Sequence, residues 1–185
     1  MSRSGDRRED DQARRPDDHA RRVVIGVVGG STAAAETAAL ARQIGRLIAE
    51  RGWTLLSGGR PTGVMQASVS GAREAGGITI GVLYGEDRDD AAAGLDYVLP
   101  TGLGAGRNIV NVLASDVVVA CRGSGGTLSE IALALRFGRP VVLLGFDPGR
   151  PFLDASGGDP RWTLADTPAE AIAAVEAYLT DLGRL

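Results

Sequence analysis

The sequence contains no lysine, because all 20 of its Lys and Arg residues are arginine. A Schiff base with a carbonyl substrate or with pyridoxal phosphate needs a lysine amine, and so does the P-loop of nucleoside triphosphatases. The chain is therefore neither a pyridoxal-phosphate-dependent lysine decarboxylase nor a P-loop protein. Any chemistry that it performs must use arginine, carboxylates, hydroxyl groups and backbone amides.

Histidine and cysteine each occur once, as His19 and Cys121. Single residues of these types disfavour Cys/His catalytic dyads, disulfides and Cys/His zinc sites, so we predict no metal site. His19 lies in a polar stretch, whereas Cys121 ends an apolar strand. We expect Cys121 to be a small buried core residue.

Long apolar runs are also missing, and the longest early run, residues 23–28, has six residues before a Gly-Gly pair. This is too short for an export signal or a membrane span. The net charge of −3 leaves no basic footprint for nucleic acid. We predict a cytoplasmic protein that uses neither a membrane nor nucleic acid as a main partner.

The chain of 185 residues is 44% hydrophobic, which fits one α/β domain. Residues 1–22 mix Arg, Asp and Glu with almost no apolar side chains, and we predict a disordered tail there. Residues 23–185 are predicted to form a single domain that binds a nucleotide or phosphate.

Short apolar segments alternate with helical patterns along this domain. Strands are predicted at residues 23–28, 53–56, 78–83, 97–99, 117–121 and 141–144, and helices follow most of them, one of them over about residues 104–115. The last helix has a capping box with proline at its first position, beginning at Thr167. The pattern predicts a Rossmann-like α/β fold, with a mostly parallel sheet and helices on both faces.

Residues 122–130 read RGSGGTLSE and lie between an apolar strand and an Ala/Leu-rich helix. This order places glycine amides and the positive end of a helix dipole beside the carboxyl end of a strand, which is how α/β proteins bind oxyanions. We therefore predict an anion site formed by Gly123, Ser124, Gly125, Gly126 and Thr127.

Three further segments follow strands or precede a helix in the same way. One glycine turn is ordinary, but several at strand ends are expected to converge at one edge of a parallel sheet. The predicted ligand-binding residues here are Gly30, Ser31, Gly58, Gly59, Thr62, Gly63, Arg107 and Asn108. The spacing around Gly30 lacks the G-x-G-x-x-G fingerprint, so a dinucleotide oxidoreductase is disfavoured.

Two charged residues allow alternative interpretations. Glu130 ends the segment Thr127-Leu128-Ser129-Glu130, which is itself a capping-box pattern, so the glutamate either caps the helix or acts as an acid or base. Arg107 is either a solvated surface residue or a fork-like anion ligand. Local sequence leaves both choices open.

Together, SGGRPTGVM (residues 57–65), GRN (residues 106–108) and RGSGGTLSE resemble the LOG-like, or SLOG, superfamily of Rossmann-type proteins, over about residues 23–182. The hallmarks of that superfamily are a GGGxxGxM loop and a PGGxGTxxE motif. The resemblance implies a phosphate site at the motif glycines and threonine. In its cytokinin-activating branch, phosphoribohydrolases cleave the N-glycosidic bond of nucleoside 5′-monophosphates, which would make Arg107 and Glu130 catalytic.

The chain departs from these hallmarks at Arg60, Arg122 and Ser124. Its motif forms are more similar to a sister branch that includes molybdenum cofactor carrier proteins. The resemblance implies a homo-oligomer, a dimer or tetramer, that binds a nucleotide or pterin phosphate and requires no cofactor of its own. Hydrolysis of a nucleoside 5′-monophosphate is the alternative, and a nucleotide sensor acting through the tail is a third hypothesis.

Overall fold

Seven strands form one parallel sheet in the computed structural model, which describes residues 22–157 and 161–185. Each neighbouring pair of strands runs parallel. The predicted tail lies outside the described residues except for Arg22, and His19 lies outside them as well. The strands are β1 Val24–Val28, β2 Thr54–Ser57, β3 Thr79–Leu83, β4 Tyr97–Pro100, β5 Val117–Cys121, β6 Val141–Leu144 and β7 Trp162–Ala165.

Helices connect most of these strands. They are α1 Ala35–Glu50, α2 Gly63–Glu74, α3 Asn108–Leu113, α4 Gly125–Arg136, α5 Arg150–Ala155 and α6 Pro168–Asp181, with a 3₁₀ turn at Gly104–Arg107. The capping box at Thr167 is present, with both of its hydrogen bonds. No helix among the described residues is both long and apolar enough to cross a membrane.

The helices cover both faces of the sheet, which confirms the predicted Rossmann-like architecture. On one face, α1, α2 and α6 bury an aliphatic cluster that includes Ile44, Val69 and Ile172. On the other face, α3, α4 and α5 bury a second cluster that includes Ile131 and Leu153. Such near-continuous apolar strands are expected where a parallel sheet is covered on both sides. Cys121 lies in the first cluster, fully buried as predicted.

Two elements were not predicted, and one predicted helix is divided. Strand β7 is a four-residue edge strand and α5 has only six residues, so neither produces a clear periodic pattern. The helix predicted over residues 104–115 is a 3₁₀ turn followed by α3. Gly104, with φ of +55°, is unsuited to an α-helix interior.

The strand order is β4-β3-β2-β1-β5-β6-β7. Chain progression through the sheet therefore reverses between β1 and β5, whose central residues pair as Gly26 with Val118. Open parallel sheets bind ligands outside the carboxyl ends of their strands at such a switch point. The loops after β1 and β5 are the segments that contain Gly30 and Gly123.

Candidate functional site

A cavity of about 300 Å³ opens at the switch point, at the carboxyl ends of the strands. Each of the four sequence segments that were predicted to converge contributes to its wall. The predicted residues that line it are Gly30, Ser31, Gly58, Arg107, Asn108, Ser124, Gly126, Thr127 and Glu130. The topology thus brings together residues that are up to 100 positions apart in the sequence.

Five other predicted residues lie beside this cavity rather than in its lining: Gly59, Thr62, Gly63, Gly123 and Gly125. Gly59 and Gly63 have positive φ angles of +71° and +54°, and a Cβ on Gly63 would lie 2.2 Å from the carbonyl oxygen of Gly30. Gly123 lines a neighbouring depression with Gly30, Ser31 and Ser124. Gly59 and Gly63 thus shape the backbone, and ligand contact at all five positions stays a prediction.

Backbone hydrogen bonds join the loops after β1 and β5. The amide of Gly30 donates to the carbonyl oxygen of Arg122 at 3.2 Å, and the carbonyl oxygen of Gly30 accepts from the amide of Val64 at 3.0 Å. The first bond fixes the β1 loop against the anion-binding motif. The second fixes the same loop against the start of α2.

Helix α4 begins at Gly125, and Ser124 occupies its N-cap position without a side-chain capping bond. The first amides of an α-helix have no partner within the helix, so this end of α4 is free to bind an anion. The capping-box interpretation of Thr127 and Glu130 is wrong, because both residues lie inside the helix and the carboxylate of Glu130 points to α3.

Arg107 lies at the end of the 3₁₀ turn, and its side chain is only 11% exposed. The residue is partly buried, and it is not a solvated surface arginine. A Cβ built on Gly58 would lie 2.3 Å from its Nη1 atom. Nη1 also lies 3.9 Å from Oε1 of Glu130, so the guanidinium lies between the loop after β2 and helix α4.

Glu130 is the carboxylate of this pair, and its side chain is 8% exposed. Burial raises the pKa of this carboxyl group, while the hydrogen bond from Asn111 and the charge of Arg107 oppose that rise. Burial also lowers the pKa of Arg107, an effect that the charge of Glu130 opposes. A buried glutamate whose pKa is raised holds a proton more strongly than an exposed one, which is a property of general acids and bases.

Asn111 was not predicted, and it is the residue that holds Glu130. Its side chain is buried, and Nδ2 donates to Oε1 of Glu130 at 2.8 Å. A polar residue occurs at every fourth position here, at Arg107, Asn111 and Ser115. The hydroxyl group of Ser115 donates to the carbonyl oxygen of Asn111. That spacing of polar residues in an apolar helix was the available signal.

The cavity also includes Arg60, Met65 and Tyr84, which were not predicted as ligand-binding residues. Tyr84 directly follows β3, so its position at a strand end was the signal that the sequence offered. Asn108 is held in place because its Nδ2 donates to Oγ of Ser129 at 2.9 Å. Within residues 22–157 and 161–185, no cluster of His, Cys, Asp and Glu could hold a metal ion.

The fold and the cavity define an open, parallel α/β protein with a glycine-lined cavity at its switch point. The chain belongs to the SLOG cluster4 family, whose model matches residues 22–172. The relatives of this chain agree with the SLOG superfamily that the motifs indicated.

Two solved structures share the fold at substantial sequence identity. The molybdenum cofactor binding protein of Rippkaea orientalis is 40% identical, with a TM-score of 0.80 over 86% of this chain and 98% of that one. The Moco carrier protein of Chlamydomonas reinhardtii is 41% identical, with a TM-score of 0.79 over 87% of this chain and 99% of that one.

A curated relative carries an enzymatic name. The cytokinin riboside 5′-monophosphate phosphoribohydrolase of Mycobacterium tuberculosis (strain ATCC 25618 / H37Rv) is 37% identical over 121 residues, which are 60% of this chain and 63% of the relative. This chain therefore matches less than two thirds of that enzyme.

Proposed function

We propose that the switch-point cavity binds a small phosphorylated ligand, a nucleotide or a pterin phosphate, and that the protein acts as a molybdenum cofactor carrier. The observation that carries this proposal is the convergence of the α4 N-terminus, the glycine loop after β1 and the partly buried Arg107 on one cavity. Amides, a helix dipole and a guanidinium are the groups that proteins use for phosphate. The similarity to two molybdenum cofactor proteins supports the pterin phosphate among such ligands.

The donor set fits the phosphate end of such a cargo rather than its metal. The lining contains backbone amides, Thr127, Asn108 and two arginines, whereas neither cysteine nor histidine is among its described residues. Recognition would therefore act through phosphate and ring contacts and not through a protein ligand to molybdenum.

Binding and metal content test this proposal directly. We expect phosphate and AMP to stabilise the purified protein in thermal unfolding, and Arg107→Gln to reduce that stabilisation. Arg150→Gln is the matched control, because Arg150 is exposed and remote from the cavity. Protein from a host that makes the cofactor should contain molybdenum by mass spectrometry, together with a fluorescent pterin after oxidative release. Protein that binds neither anions nor molybdenum would refute the proposal.

Hydrolysis of the N-glycosidic bond of a nucleoside 5′-monophosphate is the second candidate function. It is favoured by the pairing of Arg107 with the buried Glu130 at the cavity, and by the similarity to the phosphoribohydrolase. Glu130 would handle the proton of water or of a ribose hydroxyl group, and Arg107 would stabilise charge on the departing base.

A turnover assay separates this enzyme from a carrier. Incubation with AMP and related monophosphates should release ribose 5-phosphate and free base, and Glu130→Gln should abolish the release while AMP still binds. A protein that binds AMP without cleaving any monophosphate would exclude the hydrolase and leave the carrier.

We further propose that the protein is a homo-oligomer, a dimer or tetramer, located in the cytoplasm and independent of nucleic acid. Large apolar side chains are exposed around α3 and α4, with Leu103 at 55%, Leu113 at 44% and Phe137 at 45% exposure. Sedimentation equilibrium should report a mass above that of one chain. A Phe137→Glu variant should shift the mass downward if this surface forms the contact.

A further inference from the structure

We propose that Arg60, stacked on Tyr84, forms a second anion-binding position in the switch-point cavity, so that the ligand carries two anionic groups. This inference rests on the proposed binding function and specifies the ligand class more narrowly. Both residues line the cavity, and the guanidinium carbon of Arg60 lies 5.1 Å from the centre of the Tyr84 ring. An arginine stacked on an aromatic ring keeps its N–H groups available for an anion.

The tyrosine that carries Arg60 is itself held in position. The hydroxyl group of Tyr84 donates to Oδ2 of Asp90 at 2.9 Å. Asp90 therefore fixes the far end of the ring, while the ring face supports the guanidinium. Because fewer side-chain rotations must be lost on binding, this arrangement prepares Arg60 for a ligand.

The charges of the cavity are unbalanced without a ligand. Its lining contains two guanidinium groups, Arg60 and Arg107, and Glu130 as the only carboxylate among the described lining residues. Burial disfavours the charged form of Glu130, and the charge of Arg60 helps to lower the pKa of Arg107. The cavity therefore has at least one positive charge in excess, and more when Glu130 is protonated.

Among the described residues Arg60 forms no ion pair with a carboxylate, and its buried Nε atom has no hydrogen-bond partner. A buried donor without an acceptor is costly unless a ligand or water satisfies it. If one anionic group of the ligand binds at the α4 N-terminus beside Arg107, Arg60 remains available to bind a second anionic group.

The position of Arg60 in the sequence agrees with a role in ligand selection. It occupies the third place of the segment Gly58-Gly59-Arg60, where the LOG-like hallmark loop has its third glycine. A glycine there would supply neither charge nor stacking. The second anion position is thus a property of this chain's own loop.

Isothermal titration calorimetry with three nucleotides tests the proposal. AMP carries one phosphate, ADP carries two adjacent phosphates, and adenosine 3′,5′-bisphosphate carries two on opposite sides of the ribose. In the wild-type protein, at least one two-phosphate ligand should bind about tenfold more tightly than AMP, as expected for added charge-assisted hydrogen bonds. The tighter of the two indicates how far apart the anion positions lie.

Arg60→Gln should abolish that preference, because it removes the charge-assisted contact to the second phosphate. It should leave the affinity for AMP within about threefold of the wild-type value, because the single phosphate of AMP is expected to bind at the α4 N-terminus beside Arg107. Arg60→Lys should keep part of the preference, since it retains the charge. Arg150→Gln is the matched control, because Arg150 also lies over an aromatic ring, 5.2 Å from the centre of Trp162, but outside the cavity. It should leave all three affinities unchanged.

Equal binding of AMP and both two-phosphate ligands by the wild-type protein would overturn the second anion position. So would an Arg60→Gln variant that remains folded and keeps the preference. A wild-type protein that binds none of the three nucleotides and no inorganic phosphate would instead refute the proposed binding function. The two failures are therefore distinguishable.

Discussion

The guanidinium of Arg107 lies directly against the backbone of Gly58, such that a methyl group at position 58 would be 2.3 Å from Nη1. Because Gly58 has no side chain, the partly buried Arg107 can reach the carboxylate of Glu130 from the 3₁₀ turn. Gly58 therefore leaves space for a charged side chain, and this is its role in the loop.

Gly58→Ala should displace the guanidinium of Arg107 and lower the free energy of unfolding by no more than about 1 kcal/mol, the lower end of the range for overpacking, because the colliding atoms are the end of a flexible side chain. In an Arg107→Ala background the same substitution should cost much less, because the colliding atoms are gone. Urea denaturation of the four proteins in this cycle measures the coupling. Equal costs in both backgrounds would show that the contact does not determine the effect.

The free energy of unfolding of the Glu130→Gln variant should rise relative to that of the wild-type protein as pH increases. Burial raises the pKa of Glu130 in the folded protein. The folded state therefore binds a proton that the unfolded state has released above about pH 4.3, and wild-type stability falls as pH increases toward the folded pKa. Glutamine has no such proton, so the variant escapes this loss.

Denaturant titrations from pH 4 to pH 8 measure this difference. The exposed Glu36 provides the control variant, Glu36→Gln, whose stability difference from wild type should vary much less over that range. A difference between Glu130→Gln and wild type that stays constant with pH would contradict a raised pKa.

Asn111→Ala should destabilise the fold by about 1–3 kcal/mol, the usual cost of removing a buried hydrogen-bond partner. The bond from Asn111 also lowers the pKa of Glu130, so its loss should raise that pKa further. Carboxyl chemical shifts measured against pH by NMR report both the wild-type value and the change. An unchanged Glu130 titration in a folded variant would mean that Asn111 does not position the carboxylate.

Cys121 should be unreactive in the native protein. It is fully buried, and burial raises the pKa of its thiol to about 12, which leaves roughly one thiolate in 10⁴ molecules at pH 8. An aromatic disulfide reagent should therefore label one thiol per chain in denaturant and almost none without it. Rapid native labelling would show that β5 opens.

The sequence was sufficient for the fold class because apolar segments bounded by glycine loops have few other arrangements. It also indicated the glycine motif before α4, together with Arg107 and Glu130, and the structure places these residues around one cavity. It did not reveal β7 and α5, whose few residues leave no measurable period. It left the role of Glu130 undecided, because a capping pattern depends on where the helix begins.

The amino-acid sequence alone excludes lysine chemistry and identifies the glycine loops and charged residues that are candidates for binding an anion. Which of these groups lie together depends on the tertiary structure. Three contacts at the cavity join residues from different elements, and the order of strands in the sheet brings the members of each pair together. The pairs are Asn111 with Glu130, Arg107 with Gly58, and Arg60 with Tyr84. Local propensity does not encode such contacts, because they form when the packed sheet brings distant strand ends to one edge.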